Sequence, residues 1–310
     1  MTPAAIEAML LIGRGGQFAA AMLLFGAPLF GLYGFGGEGG GFRLVRSLVV
    51  PALGLAAVTA VLMLAGEAAA MTGDPGAALS PEAWRDVLSA TQFGKAWMLR
   101  AGLVIAMTVA VFRRSSRWTC LPMAVVGGFL VASLAWMGHG GAGEGTSGVV
   151  RLLGDMLHLL AASAWLGALG PLLALVIWAR RSGRHEIAVL ARRALERFSG
   201  VGSAIVTLLV ASGVVNGVFL LGRTFPASLI TSAYGRVLVA KLAAFVGMLA
   251  LAGFHRWRAT PALAQSLESA MPGTTLRRLE FSLALETVLA VSVLALVAWL
   301  GMMEPPIDAA

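Results

Sequence analysis

The sequence predicts an all-α, polytopic membrane protein built as a bundle of eight transmembrane helices. Its 310 residues are 58% hydrophobic and only 12% charged, with a mean hydropathy of +0.85. Soluble domains carry about 25% charged residues, so this composition excludes an ordinary soluble protein. The apolar residues form runs long enough to cross a bilayer, which takes about 20 residues in a helix.

Eight apolar segments are the candidate spans. They cover residues 6–35, 45–70, 96–112, 118–138, 151–179, 198–221, 235–254 and 280–302. Between the second and third, SPEAWRDVLSATQFGK is too polar to span, and its Ser80-Pro81-Glu82 start predicts a short surface helix. The first run lacks the basic flank and cleavage site of a signal peptide, so we interpret it as a span. We expect one integral membrane domain over 1–310, with possible halves 1–140 and 141–310.

The distribution of basic residues predicts the orientation. The first, third, fifth and seventh loops hold fifteen Lys and Arg residues, whereas the even loops hold five. Basic residues concentrate in cytoplasmic loops. The count therefore places the odd loops in the cytoplasm and both termini in the periplasm, and it explains the net charge of +8 without a nucleic-acid partner.

A weak internal repeat suggests two parallel halves of four helices. FGKAWMLRAGL at 93–103 resembles YGRVLVAKLAA at 234–244, and these segments open the third and seventh spans. Parallel repeats are known in transporters. Chance similarity between the starts of two amphipathic helices is the alternative.

Ionisable residues within the spans are the candidate functional residues, because such groups are costly in a bilayer. They are Arg14, Glu67, Arg100, Asp155, His158, Lys241 and Glu286. Asp155 and His158 are three residues apart and share one helix face, where the carboxylate could fix the imidazole tautomer or bind a cation itself. Arg14 is most simply a structural partner of Glu67 or Glu286. We expect His185 and His255 to be interfacial among cytoplasmic arginines, and Cys120 to serve in packing.

A metal site is predicted at the outer ends of the helices. His139 and Glu144 lie in the glycine-rich loop GHGGAGEG, while Met71, Met137 and Met156 lie near outer helix ends. Thioether and imidazole suit Cu(I), and carboxylate and imidazole suit Cu(II). The candidate ligands are His139, His158, Met71, Met137, Met156, Asp155 and Glu67. Methionine is also a common filler of apolar helices, which is the alternative for each of them.

Several segments in a fixed order resemble the CopD family of bacterial inner-membrane copper proteins. They are AAAMTG, TQFGKAWMLR, GHGGAGEG, DMLHLLAASAWLGALGPL, RFSGVGSAIVTLLVASGVVNGV, YGRVLVAKLAAFVGMLALAGFHRWRATPAL and RRLEFSLALETVLAVSVLALVAWLGMMEPP. The resemblance covers nearly the whole chain. One position departs from it, because His255 stands where the family pattern leads us to expect asparagine.

The resemblance implies eight helices, copper handling at the inner membrane and a periplasmic copper-binding partner of the CopC type. It implies import of copper from the periplasm, without an enzymatic reaction. The functional positions that match are Met71, His139, Asp155, His158 and Trp165. The residues themselves indicate only an outward-facing group of histidine, methionine and carboxylate side chains.

Two other functions fit the same residues. LHLLAASAWLGAL also resembles the histidine-bearing helix of haem-binding membrane oxidoreductases, in which His158 and a nearby lysine or methionine could hold haem. No second histidine is well placed to pair with His158. The third hypothesis is a docking platform for a periplasmic copper chaperone that does not itself transport the ion.

Overall fold

A computed structural model describes residues 2–36, 39–113, 117–137, 145–221, 228–269 and 272–303. Every regular element in these ranges is helical, which confirms the all-α prediction. In chain order the α-helices are α1 (Pro3–Tyr33), α2 (Gly39–Thr72), α3 (Pro81–Ala90), α4 (Gln92–Val111), α5 (Cys120–Ser133), α6 (Gly145–Ser182), α7 (His185–Leu221), α8 (Ser228–Thr231), α9 (Ala233–Phe254), α10 (Thr260–Glu268) and α11 (Gly273–Leu300). A π-helix, His255–Ala259, joins α9 to α10.

Seven helical segments are long and apolar enough to cross a membrane, which fits a multi-pass membrane protein. They are α1, α2, α4, α6, α7, α9 continued through α10, and α11. The fourth predicted span, 118–138, differs in form. Its α-helix α5 has 14 residues, and the short 3₁₀-helices Arg117–Thr119 and Leu134–Met137 flank it.

The short polar helix α3 confirms the prediction made from Ser80-Pro81-Glu82. The Ser80 hydroxyl caps the helix by accepting a hydrogen bond from the backbone N–H of Ala83 at 3.3 Å. The same hydroxyl donates to the Glu82 carboxylate at 2.9 Å. Because hydrogen bonds from its own backbone N–H and from Ser80 favour the charged form, the pKa of Glu82 lies below its ordinary value.

The start of α7 lies thirteen residues before the predicted start of the sixth span. Residues 185–197 are rich in arginine, and this composition predicts a loop. Their apolar side chains nevertheless recur at the spacing of a helix, and Ile187, Leu190, Ala191, Ala194 and Leu195 are buried. This amphipathic segment extends α7 beyond the apolar run. Its first residue, His185, is exposed.

Helices α1 and α6 form the centre of the bundle. Helix α1 packs on α2, α5, α6 and α11, while α6 packs on α1, α7 and α11. The two central helices cross at Gly26 and Gly167, where a Cβ atom on Gly26 would lie 2.0 Å from the Ser163 carbonyl oxygen. Small residues allow such close approach of membrane helices. The crossing fixes the position of α6, which carries Asp155, His158 and Trp165.

Candidate functional site

His158 of α6 is oriented by a serine on the neighbouring helix α7. Its Nδ1 lies 3.0 Å from the Ser212 hydroxyl oxygen. That hydroxyl donates its hydrogen to the Leu208 carbonyl oxygen, 2.6 Å away. A hydroxyl has one hydrogen, so while Ser212 donates to Leu208 the contact with His158 is made by an Nδ1–H donor. In this arrangement the neutral His158 ring carries its hydrogen on Nδ1 and has a lone pair on Nε2.

Charged groups of α6 and α9 lie beside this imidazole. Asp155, one turn from His158 on α6, interacts electrostatically with Lys241 and Tyr234 of α9. Lys241 also interacts with His158. Asp155, His158 and Lys241 are half-buried, and Tyr234 is buried. The site thus combines a neutral imidazole with an acid and a base inside the bundle.

Asn216 adds an unsatisfied oxygen one turn along α7 from Ser212. Its Oδ1 is buried and has no hydrogen-bond partner within the described residues. Gly154 of α6 faces it, since a Cβ atom there would lie 3.1 Å from Oδ1. Buried amide oxygens are nearly always paired. This one is therefore available to a ligand or a water molecule.

The other predicted ligands occupy different places. Glu67 of α2 interacts electrostatically with Arg14 of α1, as one of the two predicted pairings of Arg14 requires. Met71 is 52% exposed near the end of α2, and Met156 is half-buried beside Asp155. His139 and Glu144 lie outside the described residues, as does the side chain of Met137.

The described part of the chain contains no group of three or more His, Cys, Asp or Glu residues arranged to hold a metal. Of the predicted set, the structure brings Asp155 and His158 together, since both interact with Lys241. Sequence reasoning missed Ser212 as the partner of His158. Its signal was faint: two polar residues, Ser212 and Asn216, four positions apart in an apolar span.

A second buried polar network lies deeper in the bundle, around Glu286 of α11. Its Oε1 accepts a hydrogen bond from Trp165 Nε1 of α6 at 2.8 Å, and its Oε2 lies 3.2 Å from His255 Nδ1. The other nitrogen of His255 lies 2.8 Å from the Ser282 hydroxyl. Trp165, His255, Ser282 and Glu286 are all less than 9% exposed.

This network corrects two expectations. His255 is not interfacial, because the π-helix directs it into the bundle while the neighbouring Arg256 and Arg258 remain exposed. Glu286 is paired with Trp165 and His255, so the described contacts do not support the alternative pairing of Arg14 with Glu286. Arg14 instead donates to the Gly301 carbonyl oxygen at 2.7 Å.

A related polar pair joins α1 and α2. Gln17 Nε2 donates to the Thr59 hydroxyl oxygen at 3.0 Å, and this hydroxyl donates to the Leu55 carbonyl oxygen at 2.7 Å. Ser212 has the same pattern on α7, where it bonds His158 and the carbonyl four residues earlier. The buried Arg100 of α4 donates to Ser133 through Nε at 3.0 Å.

Both the N-terminal and the C-terminal part of the chain match known protein families. Residues 5–149 match the family described as copper resistance protein D-like, N-terminal domain, and residues 192–300 match copper resistance protein D. Copper resistance protein D of Pseudomonas syringae pv. tomato is 32% identical over 301 residues, 96% of each chain. The chain belongs to the copper resistance protein D family.

Two further proteins are similar in sequence to this chain. The inner membrane protein YebZ of Escherichia coli (strain K12) is 30% identical over 77% of this chain and 79% of its own. The copper transport protein CutJ of Bacillus subtilis (strain 168) is 31% identical over 77% of this chain. The matched region is 44% of CutJ. These names describe copper resistance or transport and point to a role without catalysis.

Family membership confirms the resemblance found in the sequence and the association with copper. The chain is a copper-related membrane protein of this family, and relatives include an inner membrane protein.

Proposed function

We propose that this protein carries copper ions from the periplasm across the inner membrane, with His158 as the central ligand. The observation that carries the proposal is the 3.0 Å contact between His158 Nδ1 and the Ser212 hydroxyl, because with Nδ1–H as the donor Nε2 keeps its lone pair for a metal. Metal-binding histidines nearly always donate their other N–H to an oriented acceptor. Ser212 supplies that acceptor across the α6–α7 interface.

The groups around His158 suit a cation that must also be released. Asp155 supplies negative charge, and Asn216 Oδ1 is an oxygen without a hydrogen-bond partner among the described residues. We propose that Met156, on the same helix, adds a soft thioether ligand. Without bound copper, Lys241 balances the charge of Asp155. An arriving ion must displace that interaction, which keeps binding weak enough for onward movement.

Earlier steps of the route rest on the sequence-predicted residues nearer the periplasm. Met71 is exposed near the end of α2, and we propose that it captures the ion together with Met137 and His139. Glu67 attracts cations to this side, with its charge moderated by Arg14. A periplasmic protein of the CopC type would deliver the copper ion at this surface.

The proposed orientation has eight spans and both termini in the periplasm. Helix α5 and its two flanking 3₁₀-helices together extend about 35 Å at their usual rises per residue, enough for the fourth span. The bond from Arg14 to Gly301 groups the outer part of α1 with the end of α11. Arg197 bonds the Gly34 carbonyl, and Arg180 pairs with Glu280, at the opposite and basic end. That end would face the cytoplasm.

We further propose that the bundle is two parallel halves, 1–140 and 141–310. A constant shift of 141 residues relates three polar pairs: Gln17 and His158, Arg14 and Asp155, and Arg100 and Lys241. The same shift relates the residues that cap the starts of α4 and α9. The Thr91 hydroxyl accepts from the Gly94 N–H and the Ser232 hydroxyl from the Gly235 N–H, each at 2.9 Å. In this arrangement the first half carries glutamine where the second carries the metal-binding histidine.

Copper uptake into proteoliposomes tests the transport proposal. We expect His158→Ala to reduce uptake at least tenfold, because the central ligand is lost. Gln17→Ala is the matched control, since Gln17 holds the equivalent place in the first half and binds Thr59 rather than a metal. Uptake that survives in His158→Ala would refute the assignment. Copper binding without uptake in the unmodified protein would favour the docking platform.

An absorption spectrum of the same sample tests the haem alternative. Lys241 interacts electrostatically with His158, so these two residues are the candidate axial ligands of a haem iron. Purified protein that shows a Soret band would favour a haem protein. The copper proposal expects none.

A further inference from the structure

A titratable pair lies buried between α6, α11 and the π-helix, away from the candidate copper site. Glu286 is 1% exposed and His255 is 8% exposed. Burial of ionisable groups in a membrane is costly, and such groups mark ion or proton pathways when they occur. The copper route proposed above uses neither residue.

The geometry supports two protonation states of His255 with few unsatisfied groups. With both ring nitrogens protonated, Nδ1–H donates to Glu286 and Nε2–H donates to the Ser282 oxygen. The Ser282 hydroxyl then donates to the Leu279 carbonyl oxygen at 3.1 Å. When Nε2 loses its proton, the Ser282 hydroxyl can rotate and donate to Nε2 instead. A single hydroxyl rotation therefore accommodates the gain or loss of one proton.

The Glu286 carboxylate is held in a fixed place by two N–H groups. Trp165 donates to one oxygen at 2.8 Å, and His255 Nδ1 lies 3.2 Å from the other. Both contacts suit an ionised carboxylate, whose two oxygens accept hydrogen bonds. Protonated His255 makes a neutral pair with it, whereas neutral His255 leaves one net negative charge. The proton on His255 thus changes the charge of the interior.

The local backbone is unusual at this place. A π-helix, rare in proteins and often found at functional sites, covers His255–Ala259. It separates His255, which points into the bundle, from Arg256, which donates to the Ser199 carbonyl and the Ser203 hydroxyl of α7 at 2.9 and 2.6 Å. The same five residues thus join a buried histidine to a basic surface.

The helices around His255 and Glu286 also carry exposed charged side chains. These side chains lie on α7, the π-helix, α10 and α11, and they are Glu196, Arg197, Arg256, Arg258, Glu268 and Arg278. Glu280 of α11 is paired with Arg180 of α6. Titratable groups further along α1, α6 and α9 include Arg14, which donates to Gly301, and Asp155, His158 and Lys241, which interact through Lys241. The contacts of Glu286 itself are Trp165 and His255.

We propose that His255 and Glu286 form a buried site that binds and releases one proton during copper movement. This inference rests on the proposed transport function. Helix α6 connects the two sites, because Trp165 is two turns from His158 on the same face and donates to Glu286. A movement of α6 upon copper binding would alter the Trp165 bond. The proton of His255 Nε2 passes to solvent water at the basic end, and the Ser282 hydroxyl rotates to donate to the vacated nitrogen.

Nitrogen NMR of the full-length protein in nanodiscs tests the proton site without copper. The chain has four histidines, so ¹⁵N-histidine signals are assigned by single substitutions. We expect the Nε2 signal removed by His255→Asn to change from the imidazolium to the neutral value in the course of a pH titration. Ser282→Ala should displace that midpoint, and Ser292→Ala, on the same helix, should not. A His255 signal that stays in one protonation state throughout would overturn the proposal.

Proton coupling is measured in proteoliposomes that contain a pH-sensitive dye. Addition of copper should cause a dye response in the unmodified protein. His255→Asn should keep copper uptake within about twofold and lose the response, because asparagine hydrogen bonds but does not titrate. An unchanged response in His255→Asn would refute the coupling. Absence of copper uptake by the unmodified protein would refute the transport function, while the NMR titration still decides the proton site.

Discussion

At the scale of single residues, function depends on hydrogen bonds that orient a few polar groups in apolar surroundings. Sequence reasoning found His158 and Asp155, because polar residues in a membrane span stand out from their neighbours. It could not find that Ser212 fixes the imidazole, since periodicity on one helix carries no information about the helix that packs against it. The burial of His255 was also missed, because the adjacent arginines indicated a surface.

The role of Ser212 is tested by its removal. In Ser212→Ala the Nδ1–H of His158 loses its acceptor, so the ring can rotate or change tautomer. We expect copper affinity of the purified protein to fall about 10- to 100-fold, as for other groups that orient metal ligands. Thr59→Ala, the counterpart on α2, should leave copper affinity unchanged. Equal affinities in Ser212→Ala and the unmodified protein would contradict the tautomer assignment.

At the scale of helices, the apolar runs predicted the membrane spans well and their ends poorly. The arginine-rich start of α7 shows why: hydropathy marks the part of a helix that lies in lipid, whereas the helix continues as far as its amphipathic pattern does. The 3₁₀ ends of α5 were equally invisible in composition. The crossing of α1 and α6 at Gly26 and Gly167 was not predicted, because a sequence does not show which glycines of two helices meet.

The Gly26–Gly167 crossing predicts a sharp response to one methyl group. In Gly26→Ala the new Cβ would lie 2.0 Å from the Ser163 carbonyl oxygen and 2.7 Å from Gly167 Cα, so the helices must separate. We expect a loss of about 1–3 kcal/mol, typical of overpacking, and a lower unfolding temperature in detergent. Gly102→Ala is the control, because nothing lies within 4 Å of its added Cβ. Similar losses in both variants would contradict this account of the packing.

At the scale of the whole molecule, the sequence predicted the all-α class and the family, whereas the described residues contain seven helices long enough to span and not eight. It predicted a site of seven residues, of which the described structure groups Asp155 and His158. Glu67 interacts with Arg14, and a sequence cannot show which of several charged residues will meet across a bundle. The parallel halves stay a proposal that rests on one short repeat and the shift of 141 residues, which Gln17 and His158 obey and Thr59 and Ser212 do not.

The orientation is tested by cysteine labelling in spheroplasts. Cys120 is the single cysteine of the sequence, so Cys120→Ser gives a background without cysteine. In that background, Leu79→Cys should react with a membrane-impermeant maleimide, because Leu79 is 86% exposed beside the outer helix α3. Ser182→Cys, at the basic end, should react only after the membrane is permeabilised. The reverse pattern would place the termini in the cytoplasm and contradict the proposed direction of copper movement.

The most direct test of the central claim is a crystal structure of the copper-loaded protein, with anomalous scattering measured at the copper absorption edge. The account predicts an anomalous peak within bonding distance of His158 Nε2, on the side facing Asp155 and Asn216, with Nδ1 still bonded to Ser212. His158→Ala crystals treated in the same way should lack this peak. Copper bound elsewhere, with His158 Nε2 unoccupied, would contradict the claim.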